Sequence, residues 1–155
     1  MPAAQLETGL EVISDSTRDI ARLVVQAAEF SSPLPRTDRR KHARRPYPCV
    51  ISVTPLADGT REPASQTFSV IGRNLSNLGL DFFHDYLISE KQVVIGLQSA
   101  KESWSHFVME LGWSRFVQGG WYISGGKFTQ VIKWAGPGEE IMEISKRVSS
   151  QRDSF

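Results

Sequence analysis

Two short stretches hold most of the side chains that could do chemistry. The first, Arg36-Thr-Asp-Arg-Arg-Lys-His-Ala-Arg-Arg45, sets five arginines and one lysine against one aspartate. That arm carries +5 in a chain whose total is +1, so the remainder sums to −4. Arginine's planar fork donates two parallel hydrogen bonds, which matches O6 and N7 of a guanine or two oxygens of a phosphate, and its face stacks on rings. Arg40 and Arg44, four residues apart, have the spacing to hold one guanine and one phosphate from a single arm. The second stretch, Asn74-Leu-Ser-Asn-Leu-Gly79, offers an amide and a hydroxyl two residues apart, able to read a second polar edge. Its glycine lets another backbone come close. Each stretch alone is a weak signal: most charge runs are solvated linkers, and most Asn/Ser/Gly turns satisfy their own backbone.

Catalytic constellations do not emerge. His42, His84 and His106 are scattered and fall in no metal-ligand spacing. Asp81, His84 and Asp85 read as the turn that follows a strand. There is no phosphate-binding P-loop, no dinucleotide fingerprint and no Gly-x-Ser-x-Gly elbow. Ser124-Gly-Gly126 sits inside a strand pattern, where glycines suggest a bulge or corner. The expectation is a binding protein, with no catalytic residues and no cofactor. Cys49 is the only cysteine, which excludes an internal disulfide and argues against zinc. The first residues, Met-Pro-Ala-Ala-Gln-Leu-Glu, show neither a basic n-region nor an apolar h-region, and no apolar run nears the roughly 20 residues that cross a bilayer. A soluble, cytoplasmic protein is expected.

The elements that must position these residues are short strands. Cys49–Thr54 is a β-branched run, and Ala57-Asp-Gly-Thr60 a turn. Gln66–Arg73 follows, with Phe68 and Val70 on one face. Leu78, Leu80 and Phe82 alternate with Gly79, Asp81 and Phe83 in a third strand, and Gln92–Gln98 makes a fourth. Trp104–Phe116 is the longest alternation, placing Phe107, Met109, Leu111 and Trp113 on one face and His106, Glu110 and Ser114 on the other. Gln118-Gly-Gly120 turns the chain into Trp121–Ile132. Six such strands predict a mainly β, six-stranded antiparallel barrel, since closure removes exposed edges, with Phe82, Phe107 and Trp113 in its core. Ser16 and Asp19 form a capping pair ahead of Ile20, Leu23, Val24, Ala27 and Phe30, which predicts an amphipathic helix over Thr17–Glu29. Packing on its own chain is expected of this helix, a partner surface or a dimer seam being the alternatives. A C-terminal helix begins at Gly136-Pro-Gly-Glu-Glu, with Ile141, Ile144 and Val148 as its stripe. Residues 1–14 carry no sustained pattern and are expected to fray.

Taken together and in this order, the two stretches resemble those of the PilZ domain family, receptors for cyclic di-GMP. Arg40-Lys-His-Ala-Arg44 is similar to the family's Arg-x-x-x-Arg arm, and Asn74-Leu-Ser-Asn-Leu-Gly79 to its Asp/Asn-x-Ser-x-x-Gly turn. Leu111-Gly-Trp113 and Gly126-Lys-Phe128 look like its fifth-strand tryptophan and closing strand. The resemblance spans Arg36 to Lys133 and implies a six-stranded barrel. It implies that Arg40 and Arg44 hold guanine and phosphate, that Asn74, Ser76 and Gly79 line the other guanine, and that Arg39 and Arg45 assist. Three features depart from the pattern: Asn74 brings no carboxylate, Leu78 stands where a small residue is usual, and the N-terminal helix has no counterpart in a minimal domain.

The expected organisation is an N-terminal extension over 1–35, a PilZ-like barrel with arm and C-terminal helix over 36–150, and a tail over 151–155. The expected function is a cyclic di-GMP effector that couples ligand binding to a protein partner, with a homodimer open. Two rivals are weighed against it. One is an adaptor of the same fold that binds no nucleotide. The other is a small-barrel binder of single-stranded nucleic acid, which the net acidic body and inward-alternating aromatics oppose.

Overall fold

The computed structural model describes residues 10–31, 44–85 and 87–134. In chain order its elements are β1 (Leu10–Ser14), α1 (Thr17–Ser31), β2 (Arg45–Pro46), β3 (Val50–Leu56), β4 (Phe68–Ser76), β5 (Gly79–His84), β6 (Gln92–Ala100), β7 (Ser103–Val117) and β8 (Trp121–Trp134). The strands run β8-β5-β4-β3-β6-β7, and β7 closes back on β8, every pairing antiparallel. This is the closed six-stranded antiparallel barrel that the alternation predicts.

Two short strands extend the wall. β4 pairs with β3 through residues 68–71, and β2 takes over the same strand at Asn74 and Leu75. β8 likewise pairs with β5 through Tyr122–Lys127 and with β1 through Val131–Trp134. Residues 10–14 are therefore a strand rather than a frayed end. Backbone pairing with β8 forms β1, and its own Leu-Glu-Val-Ile-Ser pattern carries little signal because Val12 and Ile13 stay exposed.

Helix α1 begins where its capping residues predict and runs two residues longer. The Asp19 N–H donates to Ser16 Oγ at 3.4 Å. The return half of the cap is altered: the Asp19 carboxylate accepts from Ser14 Oγ at 2.7 Å, and the Ser16 N–H donates to that same hydroxyl at 3.0 Å. Ile20, Val24, Ala27 and Ala28 form the buried stripe, at the spacing of one helical face. Phe30, expected on that stripe, falls off it and is exposed. The helix packs on its own chain, against β6, β7 and β8. The predicted C-terminal helix lies outside the described residues. Among those described, no helix is long and apolar enough to cross a membrane.

The core joins α1 to one face of the wall: Ile51, Val53, Leu80, Phe82, Ile95, Phe107, Met109 and Phe128. Phe107 and Phe128 meet with ring centroids 4.9 Å apart, a tilted contact of the kind aromatic pairs favour. A smaller cluster of Leu56, Val94, Val108 and Ile132, with Leu10 and Trp134 against it, occupies the opposite face. Trp113 is in neither and is 41% exposed. The register gives the reason. Leu111 pairs with Gly126 and Trp113 with Gly125, so Gly112 is an extra residue in β7. One inserted residue turns every following side chain to the other face. Phe107, Met109 and Leu111 face the core as the alternation predicts, and Trp113 does not. The Gly125-Gly126 pair is not bulged itself; the bulges fall at Gly112 and at Thr129.

Candidate functional site

The arm and the turn, some thirty residues apart in sequence, meet through β2. Arg45 pairs with Leu75 and Pro46 with Asn74, which lays the root of the arm alongside the first half of the turn motif. The Tyr47 N–H donates to the Arg73 carbonyl at 3.0 Å, and the Gly72 N–H to the Cys49 carbonyl at 2.9 Å. Tyr47 itself is fully buried, so the link from arm to barrel is a core feature. Proline at 46 and 48 suits a chain that runs extended here.

Asn74 and Ser76 belong to β4, and only Asn77 and Leu78 form the turn. Asp81 of β5 holds the motif in place. One of its carboxylate oxygens accepts the Asn74 N–H at 2.8 Å, and the other accepts from Arg73 Nη1 at 2.9 Å. Asp81 is buried while the Arg73 side chain is 36% exposed. Truncating Asp81 would leave water to solvate the arginine but would orphan the Asn74 amide. Asp81→Ala is therefore expected to cost about 1–3 kcal/mol in urea unfolding, most of it from that amide. Ser76 Oγ lies 3.4 Å from the Gly79 carbonyl and 3.4 Å from the Leu78 N–H, long contacts that hold the hydroxyl weakly. The Leu78 carbonyl accepts from the Phe128 N–H at 2.8 Å, tying the turn to β8.

Arg44, Asn74, Ser76 and Gly79 line one cleft of about 320 Å³, together with Leu78, Asp81, Trp113 and Lys127, a volume within the range of small-ligand sites. Of the other arginines, Arg45 lies in β2 and does not line it. Arg39 and Arg40 lie outside the described residues. Gly79 meets its need for close approach within the barrel: a Cβ there would stand 2.1 Å from the Gly126 carbonyl oxygen of β8.

Trp113 and Lys127 were not legible as site residues. Lys127 sits opposite Gly79 in the β5–β8 pairing and adds a second cation to the cleft. The Trp113 indole rests on Gly125, where an added Cβ would lie 2.6 Å from the ring. The Arg115 guanidinium carbon is 5.9 Å from the centroid of that ring, within cation–π range. A second cleft of about 680 Å³ adjoins across Trp113, Gly126 and Lys127 and reaches Asp15 and Thr17 at the start of α1. The cleft thus offers cations, hydrogen-bonding groups and an exposed indole, the set that suits a planar, anionic ligand.

The remaining titratable candidates are structural. Asp81 lies in β5 as the alternation predicts, and His84 ends that strand rather than sitting in the turn after it; both are buried, on opposite faces. His84 Nε2 is 2.6 Å from Ser124 Oγ, and its ring stacks on Tyr122 at 5.4 Å. Ser124 Oγ also lies 2.9 Å from Ser114 Oγ, which joins the three side chains in one hydrogen-bonded chain. Among the described residues, no group of three or more His, Cys, Asp or Glu side chains is placed to hold a metal ion.

Neither a family model nor a curated protein matches the sequence. Among solved structures the chain is similar to the Bacillus subtilis inhibitor of motility (MotI/DgrA), with 12% identity and a TM-score of 0.41. The match covers 76% of this chain and 56% of that one, so the chain spans little more than half the length of that protein.

Proposed function

We propose that this protein is a PilZ-type receptor for cyclic di-GMP, acting by binding rather than catalysis and passing the signal to a protein partner. The observation that carries the reading is the β2–β4 pairing, which brings Arg44 into one cleft with Asn74, Ser76 and Gly79. Arg44 and Lys127 meet the phosphates, each a charge-assisted contact. The Asn74 amide and Ser76 hydroxyl read a guanine edge, and the Trp113 indole offers its face to a base. Arg40, four residues before Arg44 in the sequence, supplies the second fork of the Arg-x-x-x-Arg pair, with Arg39 and Arg45 adding positive charge.

Calorimetry with cyclic di-GMP tests the reading. Saturable heat is expected, with affinity falling as salt rises because the ligand's two charges meet exposed cations. Arg44→Ala is expected to weaken binding about ten- to a hundred-fold, the loss of charge-assisted hydrogen bonds worth about 1.5–3 kcal/mol. Arg40→Ala should do the same. Absence of heat at tens of micromolar ligand would reject the receptor.

A second reading, an adaptor of the same fold that binds no nucleotide, is favoured by one observation. Leu78 lines the cleft where a small side chain would leave it open. Leu78→Gly separates the two: if cyclic di-GMP binds only the variant, the wild-type chain is the adaptor.

A further inference from the structure

Strand β7 continues past the end of β6. The two pair only as far as Glu110, and the last bond between the segments is the Leu111 N–H to the Lys91 carbonyl at 2.8 Å. From Gly112 to Val117, β7 has β8 along one edge and, among the described residues, no strand along the other. An open edge is a row of N–H and C=O groups that a further strand can complete. Proteins ordinarily blunt such edges with proline, charged side chains or bulges. Gly112-Trp-Ser-Arg-Phe-Val117 has no proline, a single charge at Arg115 and a bulge only at its first residue, and it presents Trp113 at 41% and Phe116 at 64% exposure.

We propose that this edge pairs with the same edge of a second copy, antiparallel about a twofold axis at Ser114. A twofold axis through an antiparallel pair sets one residue opposite itself, so side-chain chemistry chooses among a few registers. With the axis at Arg115, two like charges face each other, which is unfavourable. With the axis at Trp113, Arg115 and Phe116 would have to pair with Leu111 and Glu110, whose outer edge Lys91 and β6 already occupy. With the axis at Ser114, every pair is complementary. Trp113 meets Arg115, repeating between copies the cation–π contact these residues make within one chain. Phe116 covers Gly112, the arrangement in which an aromatic shields a glycine across a strand pair. The occupant is a second copy because about this axis the edge is complementary to itself, Trp113 to Arg115 and Phe116 to Gly112.

The test uses the full chain. Sedimentation across a concentration series is expected to show a monomer–dimer equilibrium, and Phe116→Lys to weaken it at least tenfold while leaving the circular dichroism unchanged. Directly opposite residues have Cα atoms about 4.5–5.5 Å apart, inside the disulfide range. Ser114→Cys is therefore expected to give an oxidised dimer linked 114 to 114, with peptide mapping to tell it from adducts of Cys49. Ile13→Cys, on the edge of β1 that no described strand pairs, should give none. A chain that stays monomeric throughout its soluble range overturns the proposal. So does a dimer that survives Phe116→Lys and fails to link through Ser114→Cys, since it must use another face.

Discussion

Gly126→Ala is expected to unfold the domain or to cost upward of about 4 kcal/mol, the range reserved for changes the structure cannot absorb. An alanine Cβ at that position would stand 2.1 Å from the Glu110 carbonyl oxygen, 2.8 Å from its carbon and 3.0 Å from Leu111 Cα. All three are backbone atoms of β7, so no rotamer change relieves the clash. The same layer is closed from the other side, since a Cβ at Gly79 would meet the Gly126 carbonyl oxygen at 2.1 Å. Three strands of the wall, β5, β8 and β7, thus cross at backbone contact through two glycines. Conformation is not what these positions require: among the described glycines, positive φ occurs at Gly59, Gly119 and Gly120. Space is what they require. Gly112 provides the control, because the nearest atom to a Cβ there is the Gly125 oxygen at 4.0 Å. Gly112→Ala is expected to leave the urea midpoint unchanged or to raise stability by up to about 1 kcal/mol, by restricting the unfolded chain. Equal losses at Gly126 and Gly112 would remove the packing explanation. Gly126 also lines both clefts beside Trp113, so the close packing that closes the barrel also sets the floor of the site.

The barrel was legible because its strands are β-branched or alternating apolar runs bounded by turns, and all six overlap the stretches so read. What escaped the sequence was set by pairing rather than pattern. β1 is five residues with two exposed apolar side chains, and only its register on β8 makes it a strand. Trp113 follows three core residues at the same spacing, and nothing local to Leu-Gly-Trp announces that Gly112 is an inserted residue. A register fault shows itself only against the partner strand. Lys127 reads as one more lysine until β8 sets it opposite Gly79. Asp81 falls in the third strand's alternation, but nothing local to it announces that its carboxylate is buried. Its burial follows from two donors, Arg73 and the Asn74 amide, that the fold brings to it. The turn motif itself was visible in residue types, and its neighbour, the arm, in charge. Their meeting was not, because a two-residue strand at Arg45–Pro46 is too short to carry any periodicity.

Acidification from pH 8 to pH 5 is expected to cost the fold about 2 kcal/mol through His106 alone. This histidine lies in β7 opposite Gly96 of β6 and Ile132 of β8, and its Nε2 would be 3.1 Å from a Cβ placed on Gly96. A glycine opposite makes room for the ring, which is largely withdrawn from water. Burial disfavours the charged imidazolium and lowers the pKa from 6.5 to about 4. Between those two values the unfolded chain binds a proton that the folded chain refuses. Stability from this group is therefore complete above the unfolded pKa and declines as pH falls towards about 4. One pKa unit is about 1.4 kcal/mol, so the full loss approaches about 3 kcal/mol at the bottom of the window. Most carboxylates titrate below pH 5, which leaves the upper part of the window to histidines. His106→Gln keeps a polar side chain and removes the titration. Urea unfolding at pH 8 and pH 5 should show wild type losing about 2 kcal/mol more than the variant over that interval. Equal losses would mean that His106 accepts its proton in the folded barrel, with the strands at Gly96 parting far enough to admit water.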